Sequence, residues 1–141
     1  MQRLSLALFV LATFCAFIGV GYAHSSTGNE KLYKSAGPWS LLVGSCELKV
    51  RSVGSAFFFQ PIGNSNTEFL GEMPSKDNAA VPVDLSWSKI TPAGTIHEVL
   101  HLEFTVDNTG AIQPAAYHLS RSISLDGVEK QNFETNCGDL R

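Results

Sequence analysis

The sequence predicts an all-β fold, a small antiparallel β-sandwich or barrel of about seven to eight strands with one disulfide. Three observations predict it. Apolar residues recur with a period of two in segment after segment. Clusters of Gly, Asn, Asp and Pro separate these segments at intervals of roughly eight to twelve residues. Beyond the N-terminal leader, no stretch of roughly ten residues or more keeps a helical pattern.

The leader comes first. Arg3 gives it a basic start, residues 4–20 are apolar, and Gly21-Tyr22-Ala23 places small residues at the −3 and −1 positions of a cleavage site. Residues 1–23 therefore read as a secretory signal peptide. A lipoprotein signal at Cys15 is disfavoured because Phe14 stands where a small residue is needed. As an uncleaved anchor, a helix of ~17 residues would span about 25 Å, short of the ~30 Å hydrocarbon core. The expectation is cleavage, a secreted or periplasmic location and no stable membrane insertion afterwards.

Residues 24–38 are rich in Ser, Gly, Asn and Lys and read as a flexible polar arm, with at most one helical turn over residues 30–34. Residues 39–141 are expected to form a single β domain. Alternation is clear where Cys46, Leu48 and Val50 oppose Glu47, Lys49 and Arg51. Gly54-Ser55 interrupts it. Phe57, Phe58 and Phe59 follow, a run that is either buried or beside an edge that must be covered. Residues 61–66 are a turn cluster, residues 67–73 a returning strand and residues 74–80 a loop.

The cleanest alternation sets Val81, Val83, Leu85 and Trp87 against Asp84, Ser86 and Ser88. Residues 91–94 turn the chain into residues 95–106, and residues 107–110 turn it again. Across residues 111–125, Tyr117, Leu119, Ile123 and Leu125 share one parity, and Pro114 implies an edge position or a bulge. Asp126-Gly127 is a two-residue hairpin signal, and residues 128–134 are the last expected strand.

Cys46 and Cys137 are the cysteines left after leader removal, so an exported chain is expected to bond them. The closed loop of about 90 residues corresponds to roughly 4.5 kcal/mol of chain entropy. Such a bridge makes the two ends of the domain neighbours.

The one stretch that names a chemistry is Thr95-Ile96-His97-Glu98-Val99-Leu100-His101. On a helix, His97 and His101 would lie one turn apart and could grip Zn, with Glu98 as general base. This H-E-x-x-H pattern resembles zinc peptidases over five residues only. The longer pattern fails, with Glu103 at an apolar position, Phe104 replacing a glycine and Asp107 replacing a histidine. Asp107, His118, Glu129 and Glu134 are weak further candidates for a ligand.

The strand reading fits better. Leu100, Leu102, Phe104 and Val106 share one parity and are expected to be buried, while His97, His101 and Glu103 are expected to be largely exposed. In a strand the two histidines are about 13 Å apart, and Glu98 points to the opposite face. His24, at the N-terminus after cleavage, could chelate copper through its amine and ring. For Trp39, Trp87 and the three phenylalanines, core packing is the expectation, against an exposed aromatic patch for sugar or protein.

The formal net charge is −3, one unit more negative without Arg3, and no basic patch is present, so nucleic acid is not expected as a partner. No phosphate loop, nucleophile motif or glycosylation sequon occurs. The functional expectation is a non-enzymatic exported β domain that binds a protein or small ligand, inhibitor- or effector-like, without a cofactor. The alternative is a small zinc metallopeptidase built on His97, Glu98 and His101.

Overall fold

The computed structural model describes residues 28–36 and 46–141. The expected signal peptide, His24 and Trp39 lie outside the described residues. Eight strands form two four-stranded antiparallel sheets, each a simple meander. The first sheet holds β1 (Glu30–Lys34), β2 (Glu47–Val53), β3 (Ala56–Ile62) and β4 (Phe69–Gly71). The second holds β5 (Val83–Thr91), β6 (Gly94–Val106), β7 (Ile112–Leu125) and β8 (Val128–Cys137). Of the sandwich or barrel expected from the period-two pattern, the sandwich is the fold observed, with the disulfide expected from the cysteine pair.

Turn chemistry sets the hairpins. Val53 pairs with Ala56 across Gly54-Ser55, where Gly54 takes φ +59°. Leu125 pairs with Val128 across Asp126 and Gly127, both left-handed at φ +52° and +74°, which is the twist-matched two-residue turn. Thr91 pairs with Gly94, whose φ is +129°. A Cβ there would sit 2.4 Å from the Ser124 carbonyl oxygen, so only glycine lets β6 and β7 meet at this point.

Several boundaries differ from the sequence reading. Residues 30–34, expected to be at most a helical turn in a mobile arm, are edge strand β1 paired along β2. The returning strand β4 is three residues long, and the following connection contains a 3-10 turn at Lys76–Asn78. Strand β8 runs on to Cys137. Val81 precedes β5 and is exposed, and Val106, expected in the core, is 43% exposed at the end of β6. Pro114 faces Phe104 next to a register shift and lies outside the β7–β8 pairing, as its missing N–H requires.

The core collects the inward parity of both sheets. Leu48, Val50, Phe59 and Phe69 meet Leu100, Leu102, Phe104, Tyr117 and Leu119. Phe59 and Phe104 pack edge to face at 6.1 Å. Of the three consecutive phenylalanines, Phe59 is fully buried, and Phe58 faces outward beneath the Arg51 guanidinium at 4.3 Å.

The two sheets are stitched on one side by the disulfide Cys46–Cys137. The C-terminal tail adds to the seam: Lys34 and Arg141 exchange backbone hydrogen bonds at 2.9 Å, and the Leu140 N–H donates to the Ala115 carbonyl.

The sheets differ in length. Strands β6 and β7 have 13 and 14 residues, whereas β2 and β3 have seven each. At about 3.4 Å per residue, the second sheet outreaches the first by roughly 20 Å. Its inner face can be read as rows across β5, β6, β7 and β8. Val83–Leu102–Tyr117–Cys137 and Leu85–Leu100–Leu119–Thr135 are core rows. Trp87–Glu98–Arg121–Phe133 follows, and then Lys89–Ile96–Ile123–Gln131, where burial fades.

Candidate functional site

The row Trp87–Glu98–Arg121–Phe133 marks the mouth of the sandwich, where the first sheet ends and the second continues. Glu98 has the parity of Leu100 and Leu102, so alternation along β6 turns its carboxylate inward, and it is 2% exposed. The register places Arg121 of β7 directly beside it. The Arg121 Nε–H donates to Glu98 Oε1 at 2.6 Å, and Nη2 donates to the Asn64 carbonyl at 2.9 Å.

The turn after β3 supplies the remaining donors. The Thr67 hydroxyl donates to Glu98 Oε2 at 2.6 Å, and the Ser65 hydroxyl lies 3.2 and 3.3 Å from the two carboxylate oxygens. Asn64 Nδ2 donates to the Tyr117 hydroxyl at 3.0 Å. Burial raises the Tyr117 phenol above its ordinary pKa of 10.0, with the Asn64 hydrogen bond working against that rise and Glu47 adding to it. The whole cluster fastens the 63–67 turn of the first sheet onto the inner face of the second.

Beyond this latch the inner face is open. Arg121 lies over the Phe133 ring at 5.7 Å, and Phe133 is 42% exposed. Arg121, Ile123, Gln131, Asn132 and Phe133 line a cleft of about 310 Å³. A second, more polar depression bounded by Gly63, Asn64, Ser65 and Asn66 shares Arg121 with it. At the hairpin tips, Ile90 is 84% exposed, and Val128 and Leu125 are also open to solvent.

The outer face of the second sheet carries the histidines. His97 lies in the row Ser88–His97–Ser122–Asn132, and Ser88 Oγ is 2.6 Å from its Nδ1. His101 lies in the row Asp84–His101–His118–Asn136, with its Nδ1 2.6 Å from Asp84 Oδ1. His101 is half-buried rather than largely exposed. Glu103 is exposed as expected.

Segment 94–106 is therefore the strand that its alternation predicts, and the helical geometry required by the zinc peptidase alternative is not present. Glu98 faces inward while His97 and His101 face outward, so the three do not converge on one ion. Asp107 accepts hydrogen bonds from Thr109 and Ala111 in the next turn. Glu129 sits near the β7–β8 tip, and Glu134 lies 3.9 Å from His118 Nε2.

No family model, curated protein or solved structure matches this chain.

What the site can do follows from its own chemistry. The Glu98 carboxylate is saturated by hydroxyl and guanidinium donors, an arrangement that anchors and does not abstract protons. Arg121 has its charge matched by Glu98, so the mouth offers an apolar and aromatic surface with amide and hydroxyl groups at its rim. Sequence reasoning passed over Arg121, Ser65 and Thr67. The signal was present in part, because Arg121 shares the inward parity of Tyr117 and Leu119 and a charged residue at such a position calls for a partner.

Proposed function

We propose that this chain is an exported, non-enzymatic binding domain, secreted or periplasmic, that captures an apolar segment of a partner protein at the open end of its second sheet. One observation carries the reading. The second sheet outlasts the first, leaving Phe133, Leu125 and Val128 exposed at inward-facing positions, with Trp87, Ile96 and Ile123 half-buried in the neighbouring inward rows. Contiguous apolar surface with a polar rim marks interaction sites, and a cleft of about 310 Å³ is at the lower end of the range that accepts a side chain or small ligand. An inhibitor- or effector-like role fits this geometry. Export is supported by the leader-like residues 1–23 and by the bonded cysteines, which persist in oxidising compartments. No helix among the described residues is long and apolar enough to cross a membrane.

The test is a photo-crosslinking amino acid placed at Phe133 and, as a control, at Glu103 on the outer face. The expected result is a discrete adduct from position 133 and none from position 103. The purified partner should then bind the Phe133→Asp variant at least tenfold more weakly while its melting temperature stays near that of the parent. Equal adducts from both positions, or unchanged affinity of Phe133→Asp, would refute the reading.

A further inference from the structure

We propose that β5 is a dimerisation edge, along which a second copy of this chain pairs antiparallel about Ser86 and joins the two second sheets into one continuous sheet. The edge lies across the second sheet from the cleft of β7 and β8, so the pairing is independent of partner capture there.

An edge strand leaves alternate N–H and C=O groups without a strand to bond, and folds commonly guard such edges. Among the described residues, three of the four edges are guarded. Lys34 of β1 exchanges backbone hydrogen bonds with Arg141. Strand β4 is three residues long, and β8 carries a register shift where it passes Ile123 and Ser124 of β7. Strand β5 has neither device. It pairs with β6 along all of Val83–Thr91 without a shift and contains no proline. Its guard is Lys89, a charge at an inward-facing position. A second copy gives that charge a partner.

Symmetry restricts the register. When two identical antiparallel strands pair about a two-fold axis, opposed residues share a face, so the axis passes through a residue. With the axis at Ser86, Leu85 meets the second copy's Trp87, Asp84 meets its Ser88, and Val83 meets its Lys89. With the axis at Trp87, Leu85 would meet Lys89 and Asp84 would meet Ile90, setting charges against apolar side chains. The Ser86 axis matches Leu85 with Trp87 and Asp84 with Ser88, apolar with apolar and polar with polar. It also covers Leu85 and Trp87, which pack on the core but are only half-buried at this edge.

Charge complementarity selects the same register. Val83 lines a cleft of about 490 Å³ together with Glu72, Met73, Pro74 and Val81. Lys89 is exposed, and neither it nor Glu72 forms an ion pair among the described residues. With the second copy's Lys89 opposite Val83, its aliphatic stem lies along the apolar lining and its ammonium group meets Glu72. The two-fold axis repeats this contact, and the self-complementary pairing closes at two copies.

The test is sedimentation equilibrium of the purified exported chain over a wide concentration range, with no partner present. The expected result is a reversible monomer–dimer equilibrium. Ser86→Lys sets two like charges directly opposite each other on an exposed face and should weaken the dimer at least tenfold. Lys89→Glu and Glu72→Lys should each weaken it, and the double variant, with the charges exchanged, should recover most of the loss. Asn132→Lys on β8 adds the same charge to the other edge and should leave the dimer unchanged. Melts of each variant at concentrations where it is monomeric establish that it folds. A chain that stays monomeric throughout, a dimer indifferent to Ser86→Lys or lost on Asn132→Lys, or a double variant no better than the singles would overturn the proposal. Capture of a partner through Phe133 would be untouched by any of these results.

Discussion

The latch between Glu98 and Arg121 makes an asymmetric prediction about which half matters more. Glu98 is 2% exposed, whereas the Arg121 side chain is 32% exposed. Replacing Arg121 with Met leaves a carboxylate shut away from water with only the Ser65 and Thr67 hydroxyls to stabilise it. Breaking a buried pair in this way costs about 3–5 kcal/mol, and the two remaining hydroxyl donors place this case near the lower end. Replacing Glu98 with Leu strands a guanidinium that still reaches water and the Asn64 carbonyl, for a cost of about 1–2 kcal/mol. The double variant buries no charge and loses only the anchoring of the 63–67 turn, about 1–2 kcal/mol. The singles should therefore overshoot the double by about 2–4 kcal/mol, the coupling energy of the pair. Urea unfolding of the four proteins, followed by intrinsic fluorescence at fixed pH, measures all of these terms. If Arg121→Met costs no more than Glu98→Leu, or if the singles simply add, the buried-charge reasoning is wrong.

Phe104→Ala should lose about 3–5 kcal/mol, because its 7%-exposed ring packs on Phe59. His101→Ala on the outer face should cost under about 1 kcal/mol, and a reversed order in parallel melts would contradict the strand assignment. Gly94→Ala drives a Cβ to 2.4 Å from the Ser124 oxygen at a φ of +129°, so it should cost at least about 2 kcal/mol, and an unchanged melting temperature would count against the β6–β7 register. Hydrogen bonds from the Thr109 hydroxyl and then the Ala111 N–H hold the Asp107 carboxyl below its ordinary 3.8. A depressed folded value means stability present above the unfolded pKa and lost as pH falls through the folded one. Asp107→Asn should therefore flatten the acid limb of the stability curve below about pH 4, and an unchanged limb would show that the turn contributes no such linkage.

The parts of the fold legible in the sequence are those governed by local chemistry. Period-two alternation located the cores of β2, β5, β6 and β7, and Asp126-Gly127 located the last hairpin because both positions need left-handed backbone. The cysteine pair followed from reading residues 1–23 as a leader, which leaves Cys46 and Cys137 with no other choice. Strand β1 was not legible, since Leu32 and Tyr33 are adjacent and give no alternation. Its stability comes from pairing with β2, the buried Tyr33 ring and the C-terminal tail, all of them remote in sequence. The latch failed for the same reason. The parity of Glu98 and Arg121 is local, but their juxtaposition is a matter of register, and the approach of Ser65 and Thr67 is tertiary. His101 and His118 illustrate the same limit on the outer face, where the registry of β6 against β7 decides which histidine meets which.

An ion pair at the mouth also bears on how the two sheets are held at one relative position. The core rows are filled by Leu, Val, Phe and Tyr, residues that tolerate sliding because apolar contact has no direction. Sliding the whole first sheet over the second leaves its inward set facing inward, and apolar packing alone discriminates weakly between nearby positions. The Glu98 carboxylate does discriminate, since moving the 63–67 turn by two residues, roughly 7 Å, would withdraw the Ser65 and Thr67 hydroxyls from it. Two hydrogen bonds to a buried charge would then be lost, at about 1.5–3 kcal/mol each. The latch thus sets where the first sheet ends, and with it how much of the apolar inner face remains open for a partner.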